Sequence, residues 1–345
     1  MATVSAGARL HVGFCNLSLA HERLYGGIGV ALAEPRVEMT AEPSREVTAT
    51  AADGGEPDAL VAEYAELATA LLDVSGAEVT VEDRFPRHVG LGSGTQLALA
   101  TYAAIARAHD EPVDVRAAAP QLGRGGRSGV GVASFQRGGF VLDGGHPTAR
   151  FTTERPERGQ WTVPPIVARH ELPADWRFVL AIPEVDGGAR DADAANANDG
   201  SANRGRSGDD EDAAMRAVVE SAAPSVADEV SAVVVRRLLP AAAEGDRRAF
   251  GAAIAEIERL NGSWYADAQG GVFRPPAGAI IESLQGADAI DAAGQSSWGP
   301  TVYGLTSEAR ADAAQDAARE ALDGAGCAGT VLVTMPANEG ARLSE

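Results

Sequence analysis

Apolar and polar residues alternate through "TVSAGARLHVGFCNLSL" near the start of the chain, the pattern of a β-strand with one face toward a core. "HERLYGGIGVALAEPRVEMTA" puts a glycine turn ahead of a second strand pattern, so the two runs are expected to pair in an open sheet. "EPDALVAEYAELATALLDVSG" switches to the 3.6-residue period of an amphipathic helix, and "AEVTVEDRFP" returns to strand. A loop of glycines then opens an Ala-rich apolar run, "GLGSGTQLALA" from Gly90 to Ala100, which has helical spacing. The predicted order to this point is β-β-α-β-α.

"PVDVRAAAPQLGRGG" predicts a short helix, and in "RSGVGVASFQRGGFVLDGGH" two β-rich runs flank Arg137-Gly138-Gly139 as a hairpin. "WRFVLAIPEV" reads as a buried strand. Residues 186–214 hold almost no large apolar side chain and are rich in Asp, Asn, Gly and Ala, the composition of a mobile insert. Helical patterns dominate beyond it: "MRAVVESAAPSVADEVSAVVVRRLLPAAAEG", then "DRRAFGAAIAEIERLNGSWYADAQ" with Asp246 as N-cap, then "AGAIIESLQGA". "GQSSWGPTVYGLT" is expected as a turn between helical segments, followed by the helix "SEARADAAQDAAREAL" and the strand "GTVLVTMP". The change of texture near 165–185 divides the chain into domains 1–170 and 171–345, with the insert in the second.

At 345 residues and 45% hydrophobic content the chain has material for a substantial core. Its 49 acidic residues outnumber 29 basic ones for a formal charge of −20, and every basic residue is arginine. Such a surface argues against a nucleic-acid partner. It is foremost a solvated face, suited to a salt-rich, halophilic interior where a Debye length of about 3 Å at 1 M screens self-repulsion. Cys15 and Cys327 lie too far apart in sequence for a metal-ligand spacing or a disulfide framework and are expected as core thiols. The first residues lack the pattern of a signal peptide, and no stretch approaches 18 uninterrupted apolar residues, so a soluble cytoplasmic protein without membrane association is expected.

The loop at 90–96 carries the first candidate chemistry. A helix N-terminus presents unpaired amides and the positive end of the macrodipole, and Gly90, Gly92 and Gly94 clear the approach of an anion to it. Ser93 and Thr95 add hydroxyls for a phosphate oxygen or a magnesium ion. Taken alone, the loop also fits a plain strand-to-helix turn, and it lacks the Gly-Lys-Ser/Thr ending of a Walker loop. A second cluster, Gly123-Arg124-Gly125-Gly126-Arg127-Ser128-Gly129, joins backbone freedom to two guanidiniums suited to phosphate or carboxylate. In the third, Gln295, Ser296 and Ser297 stand beside Trp298, which serves either as a core wedge or as a platform for a ring-bearing ligand.

"PRHVGLGSGTQ", with Pro86 four residues before Gly90-Leu91-Gly92-Ser93, resembles the phosphate-binding motif of the GHMP kinase superfamily. Gly94-Thr95-Gln96 departs from the Ser-Ala-Ala of typical kinases. Together with "LGRGGRSGVGVASFQRGGFVLDGGH", "GQSSWGPTVYGLT" and the opening "ARLHVGFCNLSLAHERLYGGIGVAL", it is similar to the β-ribofuranosylaminobenzene 5′-phosphate synthases, nearly end to end. The resemblance implies a two-domain α+β fold, a ribosomal-protein-S5-domain-2-like N-terminal domain and a ferredoxin-like C-terminal domain, with the site in the cleft between them. It implies a decarboxylating phosphoribosyl transfer: phosphoribosyl pyrophosphate and 4-aminobenzoate or 4-hydroxybenzoate give a C-riboside on the path to methanopterin. It also implies a homodimer and Mg²⁺.

On that resemblance, Gly90, Leu91, Gly92, Ser93, Gly94, Thr95 and Gln96, helped by Arg124, Arg127 and Ser128, are expected to neutralise the departing pyrophosphate. Arg23 is the candidate clamp for the benzoate carboxylate, and Tyr25 or Trp298, with Gln295, Ser296 and Ser297, the candidate ring site. His11, on an alternating strand, is a catalytic candidate or a structural histidine. Asn16 stands where the resemblance implies an acid, a role that Asp143 could supply instead. Two other readings remain open. One is an ATP-dependent small-molecule kinase on the same fold, opposed by the Gly-Thr-Gln ending and the lack of lysine; the other is a ligand-binding relative without turnover.

Overall fold

In the computed structural model, which describes residues 1–53, 59–149, 156–184 and 209–344, the opening alternation becomes a long antiparallel hairpin of β1 (Ala2–Asn16) and β2 (Arg23–Pro43). Ala2, Val4, Ala6, Ala8 and Leu10 all point inward, as the period-2 pattern requires. The pairing slips twice, between Gly7 and Arg9 and between His11 and Gly13. Such bulges re-aim side chains. β3 (Thr48–Ala51) runs parallel to β4 (Ala77–Asp83), with α1 (Ala59–Leu72) between them in sequence. The observed order is therefore β-β-β-α-β-α: the extra strand is four small residues, "TATA", too short for a periodic signal.

α2 (Ser93–Ala108) is the Ala-rich helix after the glycine loop, and Leu97, Ala98, Leu99, Ala100, Ala103, Ala104 and Ile105 are all fully buried. A helix apolar on every side belongs in an interior, and small side chains let it lie close between the sheet and α1. α3 (Val115–Gln121) follows, its start capped by Asp114. The hairpin expected at 127–146 is not formed. Its first half is α4 (Val130–Arg137), and only its second half is a strand, β5 (Phe140–Asp143), which pairs with β2. Val130, Val132, Ala133 and Phe135 are buried together on α4, a set that the alternation of Val and Gly disguised as strand. β6 (His146–Pro147) and β7 (Ile166–His170) complete this part of the first sheet.

The second sheet begins at β8 (Trp176–Pro183). α5 (Asp209–Ser221) and α6 (Pro224–Val233) follow, and a π-helical turn at Val234–Leu238 runs into α7 (Leu239–Glu244). Next come α8 (Arg247–Gln269), α9 (Ala277–Gln285), β9 (Ala292–Gln295), β10 (Val302–Ser307), α10 (Ala311–Gly324) and β11 (Gly329–Thr334). The order in this antiparallel sheet is β11-β8-β10-β9. Its central strand is buried on both faces: Val179 and Ala181 pack with α9 and α10, whereas Phe178 and Leu180 face the main core. Phe250 of α8 ties the layers together, 5.1 Å from Trp176 and 5.3 Å from Phe140 of the first sheet. Each such ring contributes roughly 1.5–3 kcal/mol by leaving water.

The changeover between sheets falls between His170 and Trp176, yet the chain returns at its end, where β12 (Arg342–Ser344) pairs with β1. Asp246 caps α8 by accepting from the Ala249 amide. Most of the insert expected at 186–214 lies outside the described residues. Its last six residues open α5, which brings Met215 to the central cleft. Cys15 and Cys327 are unpaired thiols at the margin of the core, half-buried rather than central. No helix among the described residues is long and apolar enough to cross a membrane.

Candidate active site

Three segments far apart in sequence meet at Gly90. The Arg9 amide donates to the Leu91 carbonyl and the Arg9 guanidinium to the Gly90 carbonyl, binding the glycine loop to β1. The Ser296 hydroxyl donates to the same Gly90 carbonyl and accepts from the His11 amide, and the Ser297 amide donates to the His11 carbonyl. Gly90 has φ +91°, and a methyl group there would run into the Ser296 carbonyl oxygen. The turn at 296–299 joins β9 to β10 rather than two helical segments, and Ser297 takes φ +57° in it. The short, small-residue strand "AAGQ" before it explains why the sequence pattern missed the hairpin.

These segments form one wall of a cleft of about 260 Å³. His11, Gly13 and Phe14 enter it from the bulged part of β1, Thr95 from the start of α2, and Arg124, Arg127 and Ser128 from the second glycine cluster. Gln295, Ser297 and Trp298 reach it from the turn. Of the residues singled out in the sequence, the structure thus brings together His11, Thr95, Arg124, Arg127, Ser128, Gln295, Ser297 and Trp298.

α2 begins with Gly92 in the left-handed conformation, and the Thr95 and Gln96 amides both bond back to the Gly92 carbonyl. Gly94 lies beneath the Arg124 guanidinium, whose nearest nitrogen would stand 3.0 Å from a Cβ there. Arg124 also donates to the Tyr64 hydroxyl, with its guanidinium carbon 5.4 Å from the Tyr64 ring centre. The loop bearing it is pinned from two sides. Trp161 donates to the Arg124 carbonyl, and Asp143 accepts from the Ser128 hydroxyl and the Gly129 amide. Burial raises the Asp143 pKa, and the bonds it accepts oppose that shift.

The other sequence candidates are framework. Leu91 is fully buried; Ser93 and Gln96 are buried, with the Gln96 amide group donating to the Gly131 carbonyl. Arg23, the expected clamp, lies outside the cleft and donates to the carbonyls of Gly144 and Gly145, the latter at 2.8 Å. Asn16 donates to the carbonyls of Ser18 and Arg23 and accepts from the Ser18 amide, so an amide side chain is what this turn requires. A carboxylate would oppose both carbonyls. Tyr25 is buried behind Phe14, 5.6 Å away, and does not face the cleft.

Sequence reading missed Arg9 and the contribution of α8. Glu258, Asn261, Gly262, Tyr265 and Gln269 line the cleft from one face of that helix, spaced at the intervals of successive turns. Tyr265 meets Trp298 edge to face at 5.0 Å, making the aromatic wall. Asn261 accepts from the Phe14 amide and donates to the Phe14 carbonyl, fixing α8 to β1. A polar Glu and Asn beside the apolar stripe Phe250, Ile254 and Ile257 was the available signal.

His11 is buried, and its pKa is lowered to about 3, first by burial and then by the charge of Arg9. It is neutral at working pH and acts as a neutral wall or hydrogen-bonding group. An NMR titration of this ring is expected to show no protonation between pH 5 and 9; a midpoint above 6 would contradict its burial. The unfolded chain binds a proton below its ordinary value near 6.5 while the folded chain does not. His11 therefore costs no stability above that pH and an increasing amount as pH falls from there toward 3.

Comparison with known proteins adds the relationship. The GHMP kinases N terminal domain family matches residues 59–139, and the GHMP kinases C terminal family matches residues 238–324. A β-ribofuranosylphenol 5′-phosphate synthase of Methanothermobacter thermautotrophicus is 33% identical over 313 residues, 88% of each chain. One of Archaeoglobus fulgidus is 31% identical over 346 residues, 97% of each chain. Streptococcus pneumoniae phosphomevalonate kinase superposes with a TM-score of 0.65 at 12% identity, over 97% of this chain and 99% of that one. Staphylococcus aureus mevalonate diphosphate decarboxylase gives 0.64 at 13%, over 100% and 99%. The two-domain α+β fold of the GHMP kinases is thus that of this protein, and the chain belongs to the β-ribofuranosylphenol 5′-phosphate synthase family of pentosyltransferase-type enzymes.

Proposed function

We propose that the cleft condenses phosphoribosyl pyrophosphate with a 4-hydroxy- or 4-aminobenzoate to a C-riboside 5′-phosphate, releasing pyrophosphate and carbon dioxide in methanopterin-type biosynthesis. The supporting observation is the division of the cleft. The start of α2, Thr95, Arg124, Arg127 and Ser128 make one side anion-seeking, and Tyr265, Trp298 and Phe273 make another aromatic. In the reaction the bond from ribose C1 to the pyrophosphate oxygen breaks, and the ring carbon bearing the carboxylate bonds to C1. The carbon–carboxylate bond then breaks, and its electrons restore the aromatic ring. Guanidiniums and hydroxyls on the anion-seeking side stabilise charge that grows only in the transition state, while the aromatic wall holds the ring against the sugar.

Magnesium fits this arrangement in one way. Among the described residues no three His, Cys, Asp or Glu side chains gather as an ion site, so these residues form no complete cage. Mg²⁺ is commonly bound through substrate phosphates and water, with few protein ligands. The hydroxyls of Thr95 and Ser128 are the chain's contribution, and the ion would supply charge neutralisation on the leaving group.

The test is incubation in high salt with Mg²⁺, phosphoribosyl pyrophosphate and carboxyl-labelled 4-hydroxybenzoate or 4-aminobenzoate. Labelled carbon dioxide is expected only when phosphoribosyl pyrophosphate is present. Its absence with both acids, from folded protein, would remove this reading, and ATP consumption with a screened alcohol would favour a kinase.

A further inference from the structure

Resting on that reaction, we propose that Glu258 is the acid–base residue for the acceptor's 4-substituent: its carboxylate takes the proton of a 4-hydroxyl as the ring attacks ribose C1 and returns it as carbon dioxide leaves. Glu258 is 4% exposed, on the cleft face of α8 one turn before Asn261 and two before Tyr265. It stands on the helix that builds the aromatic wall, where the acceptor ring is held in the proposed reaction. Its two oxygens are each oriented by one donor, the Tyr303 hydroxyl at 2.5 Å and the Gln295 amide at 3.0 Å. Each carboxylate oxygen retains capacity for a further bond. Gly294 makes the room, since a Cβ there would run into the carboxylate.

The chemistry asks for a group of this kind. When the ring carbon forms its bond to C1, positive charge reaches the 4-oxygen; transfer of its proton to Glu258 turns that oxygen into the carbonyl of a neutral dienone. Loss of carbon dioxide returns the electron pair to the ring, and the oxygen regains the proton from Glu258. No external oxidant or reductant is involved. A 4-amino group carries the charge as an iminium ion and needs no proton transfer, so Glu258 separates the two acceptor classes.

Burial raises the Glu258 pKa to about 8, opposed by the bonds from Tyr303 and Gln295. That lies near the value suited to moving a proton at working pH. His11 on β1 is held near 3, and the Tyr303 phenol on β10 is pushed well above its ordinary value by burial and by Glu258, so neither shares this range. Arg9, Arg124 and Arg127 line the same cleft. Tyr265 on α8 contributes a phenol, and Gln295 of β9, Asn261 and Met215 are uncharged.

The experiment compares wild type, Glu258→Gln and Tyr303→Phe with both acids. With 4-hydroxybenzoate, the wild-type kcat is expected to rise with pH through one ionisation near 8. Glu258→Gln is expected to remove that ionisation and roughly 10²–10⁴-fold of the rate, with a clearly smaller fall for 4-aminobenzoate. Tyr303→Phe keeps the carboxylate but loses a bond that lowers its pKa, so the midpoint should move to higher pH. Binding of 4-hydroxybenzoate without phosphoribosyl pyrophosphate, measured by titration calorimetry, should tighten as pH rises through that ionisation in wild type, where the carboxylate accepts from the 4-hydroxyl, and should lose this pH dependence in Glu258→Gln. The binding profile is independent of turnover: if wild type makes no product from either acid, the reaction reading fails while the profile still reports on Glu258. Equal losses with both acids, an unmoved pH profile of kcat, or the same binding profile in both proteins would overturn the proposal.

Discussion

Gly90→Ala is expected to lower product formation about 10²-fold or more and the melting temperature by several degrees. At φ +91° an alanine carries backbone strain of about 1–3 kcal/mol. The added carbon also points at the Ser296 carbonyl oxygen, and Gly299 packs its backbone directly on Gly90. No side chain can rotate aside, so the loop must part from the 296–299 turn. That breaks the shared node where Arg9 and Ser296 both donate to the Gly90 carbonyl. A displacement of about 1 Å at a reacting centre can cost on the order of 10²-fold in rate, and here the anion-seeking and aromatic sides move apart together. Thermal unfolding and labelled carbon dioxide release measure the two effects separately; a variant with wild-type melting and activity would show that the loop and turn are not coupled.

The start of α2 was legible because its message is local: a glycine-rich turn followed at once by an apolar run with helical spacing specifies a helix start. The long β1–β2 hairpin was legible for the same reason, since alternation is a property of neighbours. What failed was local pattern without enough length to decide, as in "VGVASFQ", where valines separated by glycine mimic a strand while α4 buries one side against the sheet. The site's second half was hidden differently. Tyr265 and Glu258 become site residues only because Asn261 clasps β1 and the β9–β10 hairpin brings Trp298 and Gln295 alongside α8. Those are contacts across more than two hundred residues in the first case, and no spacing rule reaches that far. Arg23 shows the converse: an arginine beside a glycine pair looks available in sequence, yet its guanidinium is committed to two carbonyls of the neighbouring turn.

Arg124→Ala tests the electrostatic half of the proposed reaction. Its guanidinium lies over Gly94 at the start of α2, and Tyr64 holds it from behind by a hydroxyl and a ring face. A charge fixed in advance needs little reorganisation when pyrophosphate departs, which is why loss of one such donor costs roughly 10²–10³-fold in kcat. The fall should appear in kcat more than in KM for phosphoribosyl pyrophosphate, because the negative charge on the bridging oxygen is complete only after the bond breaks. Arg124→Lys should recover only part of the loss, since an ammonium keeps the charge but neither the forked donors nor the guanidinium's contact with the Tyr64 ring. Tyr64→Phe is the companion: it leaves the ring and removes the hydroxyl, so a smaller fall than Arg124→Ala is expected. A rise in KM alone would make Arg124 a uniform phosphate contact, and rates within tenfold of wild type for Arg124→Ala would move the leaving-group role to Arg127 and the amides of α2. The first outcome would give Arg124 a binding role only and the second would give it none in bond breaking, whereas the expected fall in kcat makes the Arg124–Gly94 contact part of the bond-breaking step.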